Sequence, residues 1–541
     1  MEITPSIKAL ADWFYANTTE NNEVYFVKWS FPNNTLPDLS LEKAEQDYRL
    51  AQETLEKVHA LLAQPQTHTD EMILRLLEYY CHYIEKNYLN YWHKFDLNHY
   101  TCPLPDLYRK ILAFPLNTAE EHERFLDVFR KFPDYIRAMQ RKMEAQAKRY
   151  IRMPVEACRI VLTTIDTYLA MNEQAGARCD GASAIAADAQ DTLTCLAEYI
   201  KTDYMTHAPQ TLGMSQYPGG YEMYRRQMDT YISCDATPEE VHAIGYRALQ
   251  ETQDKMRDIM KQVGFQGTLE EFTRSVQEDP QFKFKTPEEM QETLTGYLEK
   301  IKPILPRYFN RMPKADCAVR RIDPKREATT SWGYYNVPVE EPIGVYYYSA
   351  AELDKRCQVR ANAVIYHELL PGHHFQMNLV MEDPTLPDII HHHYNTACAD
   401  GWAEYASGFC REIGLYTPYN DFGRLTWDAF LCCRLIVDTG LNALGWTYEQ
   451  AEQFLLEHTM FTKAEVYTEL LRYTVGFPAQ ALSYKWGSMK FFGFREKAEK
   501  ELGSKFDLKE FHDVMLEYGS IPLNLVEYHF NWWLEQVKNR K

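Results

Sequence analysis

The stretch Val364–Gln376 reads VIYHELLPGHHFQ. An apolar run leads into His367 and Glu368, as in a helix that carries a metal site. In the HExxH arrangement two histidines at i and i+4 lie on one helix face and share a zinc ion, while the glutamate acts as base. Here the i+4 position is Pro371, and the next histidines are His373 and His374. On an ideal helix His373 would point away from His367, and His374 would share its face but lie roughly 10 Å along the axis. Only a deformed helix brings either one back. Pro371 has no N–H for the His367 carbonyl, and its ring crowds that turn. Gly372 tolerates the angles a bulge needs. A helix that absorbs two extra residues at Pro-Gly would return His373 to His367, and such bulges often mark functional sites. The plain alternative is a helix end at Pro-Gly beside a chance HE pair.

Catalytic zinc keeps three protein ligands and one open position, so a third ligand must come from elsewhere. The candidate segment is ACADGWAEYASGFCREIGLY, Ala397 to Tyr416. Trp402, Tyr405, Ala406 and Phe409 recur at helical spacing and predict a buried helix. Asp400 and Glu404 fall one turn apart on the same face. One could hold the metal while the other fixes a ligand histidine from behind. A solvated acidic face is the alternative, and the apolar character of the helix weighs against it.

These segments resemble a known family, the bacterial domain of unknown function 885, whose members are read as zinc metallopeptidases of the gluzincin group. HELLPGHHFQ is similar to the family's HExxPGHxxQ, and DGWAEYA to its EGWALYA. The resemblance continues through RLIVDTGLNALGWTYEQA (Arg434 to Ala451), RYTVGFPAQALSYKWG (Arg472 to Gly487) and REKAEKELGSKFDLKEFHDVMLEYGSIPLNL (Arg495 to Leu525). It covers the C-terminal 220 or so residues strongly, and PGGYEMYRRQM near Pro218 extends it more weakly. It implies a mainly α, large helical zinc-metallopeptidase-like fold with a deep cleft. By the same resemblance His367, His373 and Asp400 would be the ligands of Zn2+, with Glu404 as the alternative third ligand. Glu368 would be the general base and Tyr484 the donor to the oxyanion. Lys485, Arg472 and Tyr473 are further candidates around the substrate, although Arg472 and Tyr473 read more readily as buried structural groups. Two residues depart from the family pattern. Asp400 stands where a glutamate is usual and is one methylene shorter, so either its helix comes closer or Glu404 substitutes. Asn442 stands where a histidine is usual, and could support a transition state only without charge.

Zinc held in this way would lower the pKa of its bound water toward about 7. Glu368 would take the proton during attack on a peptide carbonyl and return it to the leaving nitrogen. Two other functions use the same residues: hydrolysis of another amide in a smaller pocket, and peptide binding by a degenerate site.

Outside the motif, helix signals dominate. QDYRLAQETLEKVHALLAQ and DEMILRLLEYYCHYIEK are amphipathic, and the Thr-Pro-Glu-Glu runs at Thr237 and Thr286 predict capping boxes with Pro at the first helical position. The main β candidate is SWGYYNVPVEEPIGVYYYSA, Ser331 to Ala350, rich in aromatics and broken by Pro338 and Pro342 as edge strands often are. Such an edge, just ahead of the histidines, could take an extended peptide as an added strand, with Tyr346 and Tyr347 against the substrate. His391 to His393 predict a solvated loop. Residues 1–320 would form a helical half that walls the substrate groove and 321–541 the zinc-binding half, together one compact unit.

The 541 residues carry a net charge of -19, which disfavours nucleic acid and weakly steers neutral or basic substrates. No apolar run reaches membrane-spanning length. Glu2, Lys8 and Asp12 interrupt what a signal peptide would need, so the expectation is a cytoplasmic protein, or an exported one with its leader removed. The 12 cysteines are scattered without CxxC spacing, as reduced core cysteines would be. Oligomeric state is not encoded in any pattern found.

Overall fold

Local end signals set the helices. Thr67, Thr118, Thr237, Thr268, Thr417, Thr447 and Thr462 each accept a hydrogen bond from the backbone N–H three residues on, which satisfies a donor that a helix start leaves open. The expected capping box at Thr237 is complete. The one at Thr286 is half formed: its hydroxyl accepts from Glu289 N, but Glu289 Oε2 reaches past the cap to Lys285 N at 2.6 Å. The computed structural model describes residues 3–18, 35–324, 327, 332–338, 342–391 and 393–540. It is mainly helical, with one small three-stranded sheet among the described residues.

Two long helix pairs place the functional region. Pro238–Gln262 lies along Pro418–Asn442, and Thr396–Glu412 lies along Ser483–Leu502. Each pair approaches through glycine. A Cβ on Gly245 would stand 2.7 Å from Ile436 Cγ1. At the second crossing the backbones themselves meet: a Cβ on Gly487 would lie 1.9 Å from the Ala397 carbonyl oxygen, and one on Gly401 2.5 Å from Gly487 Cα. One apolar cluster runs from Ile7 to Val537, and a second joins Leu212 and Ala248 to residues between Cys357 and Ala481. No helix among the described residues is long and apolar enough to cross a membrane.

The sheet divides the edge-strand expectation for Ser331–Ala350: the first strand of that segment is an outer one, and the strand that carries Tyr346 and Tyr347 is not. The strand order is β1 (Cys317–Arg321), β3 (Gly344–Tyr348), β2 (Gly333–Asn336). β3 is therefore the central strand, parallel to β1 from Cys317↔Gly344 and antiparallel to β2 from Gly333↔Tyr348. Its hydrogen-bonding groups are taken on both sides, so it cannot accept a further strand; among the described residues the outer strands are β1 and β2, and of these β2 belongs to the predicted segment. Pro338 and Pro342 lie between strands, where a missing N–H costs no ladder bond. Ser331 and residues 339–341 of the predicted segment lie outside the described residues.

The solvated HHH loop is also corrected. His391 closes a short helix, Asp388–His391, and its Nε2 lies 2.7 Å from the Asp383 carbonyl. His393 is buried, and its Nδ1 faces the Tyr80 hydroxyl inside the core. His392 lies outside the described residues.

The glycine crossing gives a direct test. Gly487→Ala places a methyl into a backbone carbonyl that no side-chain motion can clear, and should destabilise the protein by on the order of 3 kcal/mol. Gly493→Ala, in the same helix with nothing within 4 Å of its added Cβ, should be neutral or stabilising. Chemical denaturation midpoints compare the two; equal midpoints would mean that the crossing is not close-packed.

Candidate metal centre

The histidine motif does not form one bulged helix. It forms two, Ala361–Glu368 and His373–Met381, and residues Leu369 to Gly372 are the break. Proline explains the stop, since the first helix cannot continue its hydrogen bonding through Pro371. Gly372 explains the tight return: a Cβ there would stand 1.8 Å from the His367 carbonyl oxygen. Phe375 N reaches the Leu369 carbonyl at 3.3 Å across the break. The chain thus doubles back over its own last turn, and His373 comes to His367 without sharing a helix with it. Their rings lie 4.7 Å apart, nearly perpendicular.

The neighbouring His374 points the other way. Its Nε2 lies 3.0 Å from the Ala315 carbonyl, and its Nδ1 lies 2.9 Å from the Tyr335 hydroxyl. A Cβ on Gly344 would touch its ring at 2.4 Å. His374 thus joins the second histidine helix to the sheet, and His373 is left for the centre.

The helix Thr396–Glu412 is capped by Asn395, whose side chain accepts from Cys398 N. It also holds the break, because Trp402 Nε1 donates to the Pro371 carbonyl at 3.0 Å, and Ser407 Oγ bonds the Ala363 carbonyl at 3.3 Å. In this setting Asp400 Oδ1 lies 3.5 Å from His373 Nε2 and 3.8 Å from His367 Nε2. Glu404 sits one turn on, behind His367, with Oε1 3.1 Å from Nδ1. The indole of Trp427 donates to the same Oε1 at 2.7 Å. Asp400, not Glu404, is thus the acid on the Nε2 side of both imidazoles.

The geometry suits a small tetrahedral cation. One ligand atom each from His367, His373 and Asp400 lie within 4.8 Å of one another. The Nε2–Oδ1 separations are too long for hydrogen bonds, yet close to the about 3.3 Å expected between two ligands bound at 2.0–2.1 Å to one tetrahedral zinc. Charge points the same way. Burial would lower the His367 imidazole, but Glu404, Glu368 and Asp400 outweigh it and push it up to about 9. Burial raises Glu368, partly offset by the two histidines. A cluster of three carboxylates around two imidazoles, largely buried, favours added positive charge.

Of the residues expected around this centre, some are brought to it and some are not. Tyr484, half-buried at the start of Ser483–Leu502, is pushed up by burial and then by the nearby Asp400 charge. Arg472 Nη2 stands 3.5 Å from its hydroxyl. Lys485 is buried and held by both Asp428 oxygens, at 2.7 and 2.9 Å. Asn442 lies in the core, accepting from Met214 N and donating to the Asp438 and Tyr473 carbonyls. Tyr346 is 1 % exposed and packs in the apolar cluster, whereas Tyr347 faces Tyr334 across the sheet. Tyr473 is fully buried.

Tyr394 was not singled out in the sequence. Its hydroxyl lies 3.4 Å from Asp400 Oδ2, and its ring 6.4 Å from that of His373. Trp427 was missed as well. Neither has a local signal, because each reaches the centre from a segment whose sequence pattern describes only its own helix or turn.

Metal affinity separates the two acids. Asp400→Ala should lose most of the zinc affinity, whereas Glu404→Ala should weaken it roughly 10-fold to 100-fold by freeing the His367 ring. Competition with a chelator measures both; the greater loss in Glu404→Ala would move the third ligand one helical turn.

Solved structures share this architecture. The chain matches, with a TM-score of 0.85 and 22% identity, the crystal structure of a "putative lipoprotein" from Colwellia psychrerythraea, over 98% of this chain and 99% of that one. A "putative lipoprotein of unknown function" from Shewanella oneidensis matches with a TM-score of 0.75 and 16% identity, over 97% and 99%. No curated protein matches the chain. Residues 24–529 match the profile of the family described as bacterial protein of unknown function (DUF885), and the chain belongs to that family.

Proposed function

We propose that the protein is a zinc-dependent metallopeptidase that hydrolyses peptide bonds. The observation that carries this reading is the convergence of His367 Nε2, His373 Nε2 and Asp400 Oδ1 at ligand spacing, with Glu368 beside them. His367, His373 and Asp400 would hold the ion, and Glu404, braced by Trp427, would fix the His367 ring. A zinc ion held there would supply a Lewis acid and an acidified water. The Glu368 carboxylate would take a proton from the attacking water and return it to the leaving nitrogen. The hydroxyl of Tyr484 donates to the oxygen of the attacked carbonyl as charge develops on it, and Tyr394 stands on the Asp400 side as a second donor. An extended peptide would pair with the edge of β2 rather than with β3, whose two sides are taken.

The reading as a decayed site loses its main motive, because the shorter Asp400 reaches both imidazoles. Asn442 has a structural role of its own, so the absence of a histidine there is no sign of lost catalysis. The 12 unpaired cysteines fit a reducing compartment, whereas the lipoprotein descriptions of the two matched structures point to export.

Reconstituted protein should carry about one zinc per chain and should cleave members of a peptide library. Glu368→Gln keeps the shape of the side chain but cannot accept the proton, so turnover should fall by a factor on the order of 10² or more with zinc retained. No zinc uptake, or full activity in Glu368→Gln, would refute the proposal. Tyr484→Phe should lower kcat more than it changes KM, since its hydroxyl matters mainly once the oxyanion forms. Unchanged kinetics in that variant, with Tyr394→Phe impaired, would give the donor role to Tyr394.

A further inference from the structure

Next to the centre lies a pair of buried arginines that the mechanism above does not use. Arg434 and Arg472 are 3 % and 7 % exposed. The Arg434 guanidinium sits 4.9 Å from the Tyr484 ring, 4.4 Å from Phe430 and 5.7 Å from Trp427. The Arg472 guanidinium sits 5.5 Å from the ring of Tyr100, a tyrosine of the N-terminal half that is 47 % exposed. Both share one carboxylate, Glu469, at 3.1 Å from Arg434 and 3.4 Å from Arg472. Gln480 Oε1 accepts from Arg472 Nη2, but the Nε of each arginine is buried without a hydrogen-bond partner.

The direct ion pairs do not balance, since two guanidinium groups share one glutamate. The acids of the metal centre lie beyond Trp427 and Tyr484, and besides Glu469 the acid that acts on Arg472 is Asp438. Its Oδ1 is occupied by the Tyr224 hydroxyl, Asn442 Nδ2 and Ala479 N. Burial pushes that carboxyl up to about 7, so near neutral pH it offsets only part of the second positive charge. A desolvated guanidinium pair lined with aromatic rings and short of a partner is a receptor for a carboxylate, which matches the planar fork of arginine.

Its position says which carboxylate. Trp427 lies 5.7 Å from the Arg434 guanidinium and donates to Glu404, and Tyr484, which lies against both arginines, feels the Asp400 charge. The pair is thus separated from an acid of the metal centre by the Trp427 side chain. A peptide advances about 3.3–3.6 Å per extended residue, so a carboxylate held there lies one or two residues beyond the bond cut. We propose that the protein acts as a carboxypeptidase, with Arg472, backed by Arg434, binding the free C-terminal carboxylate of a peptide. This rests on the peptidase reading. The amide C–N bond breaks, the hydroxyl of water stays on the carbonyl carbon as a new C-terminus, and the proton goes to the released amine.

The test uses zinc-loaded protein and one mixture of N-acetyl tetrapeptides, made once as C-terminal acids and once as amides. The parent should cleave the acids with a kcat/KM on the order of 100-fold above the amides, as a buried charge pair implies. Arg472→Gln should bring that ratio close to one, and Arg472→Lys should restore part of it; a merely structural role would depress both series alike. Thermal melts check that each variant is folded, and the parent comparison stands even if Arg472→Gln is not. Equal cleavage of acids and amides overturns the inference and leaves the peptidase reading standing. So does cleavage of amides only where Asp or Glu follows the bond, since the carboxylate read is then a side chain. Equilibrium dialysis with Glu368→Gln separates the two readings. If the parent cleaves nothing but Glu368→Gln binds acids over amides, the peptidase reading falls and the carboxylate site remains. Binding of both series alike, or of neither, overturns the site.

Discussion

The backbone contact between Gly401 and Gly487 is the constraint on which the rest depends. Two helices that meet through side chains keep their axes 8–10 Å apart. Here a Cβ on either glycine would intrude on the other's backbone, so the helices come as close as their main chains permit. Asp400 immediately precedes one glycine, and Tyr484 and Lys485 precede the other by less than a turn. The crossing therefore fixes the backbones of Asp400 and Tyr484 relative to one another before any side chain chooses a rotamer. Dispersion contacts add up along such an interface, which makes it a rigid base for a site that needs sub-ångström placement.

The second constraint is the break between the histidine helices, and it depends on the first. The helix that carries Asp400 also carries Trp402, whose indole N–H takes the Pro371 carbonyl that the interrupted helix leaves open. One helix thus carries Asp400 and stabilises the turn that presents His367 and His373. Two-residue longer spacing is no defect in this scheme. An i, i+4 pair is positioned by a single helix; here the pair is positioned by a fold-back, a glycine with no Cβ against His367, and a tryptophan from outside. The adjacent His373 and His374 then face opposite ways, one to the acids and one to the sheet, so the sheet acts as an anchor for the second histidine helix.

What could be read in the sequence was what local chemistry dictates. Threonine caps, amphipathic spacing and the buried helix with Asp400 and Glu404 are encoded within a few residues of where they act. Pro371 and Gly372 announced an irregularity, though not whether the helix would bulge or break, because that choice is made by Trp402 from another segment. β3 looked like an edge because composition cannot reveal that Cys317–Arg321 pairs with its other side. His393 looked solvated among polar neighbours, but its partner, Tyr80, is more than three hundred residues away. Asn442 looked like a site residue by position, yet its four hydrogen bonds are all to core groups. Tyr394 and Trp427 reach the centre only through tertiary packing, and nothing in their surrounding residues marks them.

Asp400, the proposed third ligand, raises the question of what replaces the missing methylene. The distances place the answer in the histidine half. Gly372 lets the fold-back close to the point where a Cβ would overlap the His367 carbonyl, which brings His373 Nε2 to within 3.5 Å of Asp400. His367 is drawn from behind by Glu404 and remains the farther of the two, at 3.8 Å. A glutamate at 400 would have to bend its extra carbon away from an approach this close. The shorter acid and the tight fold-back therefore fit each other, and a longer acid would need a looser turn. Glu404 is then free to act through His367 alone, its oxygen held by Trp427, and the division of work between the two acids follows from one turn of helix and one methylene.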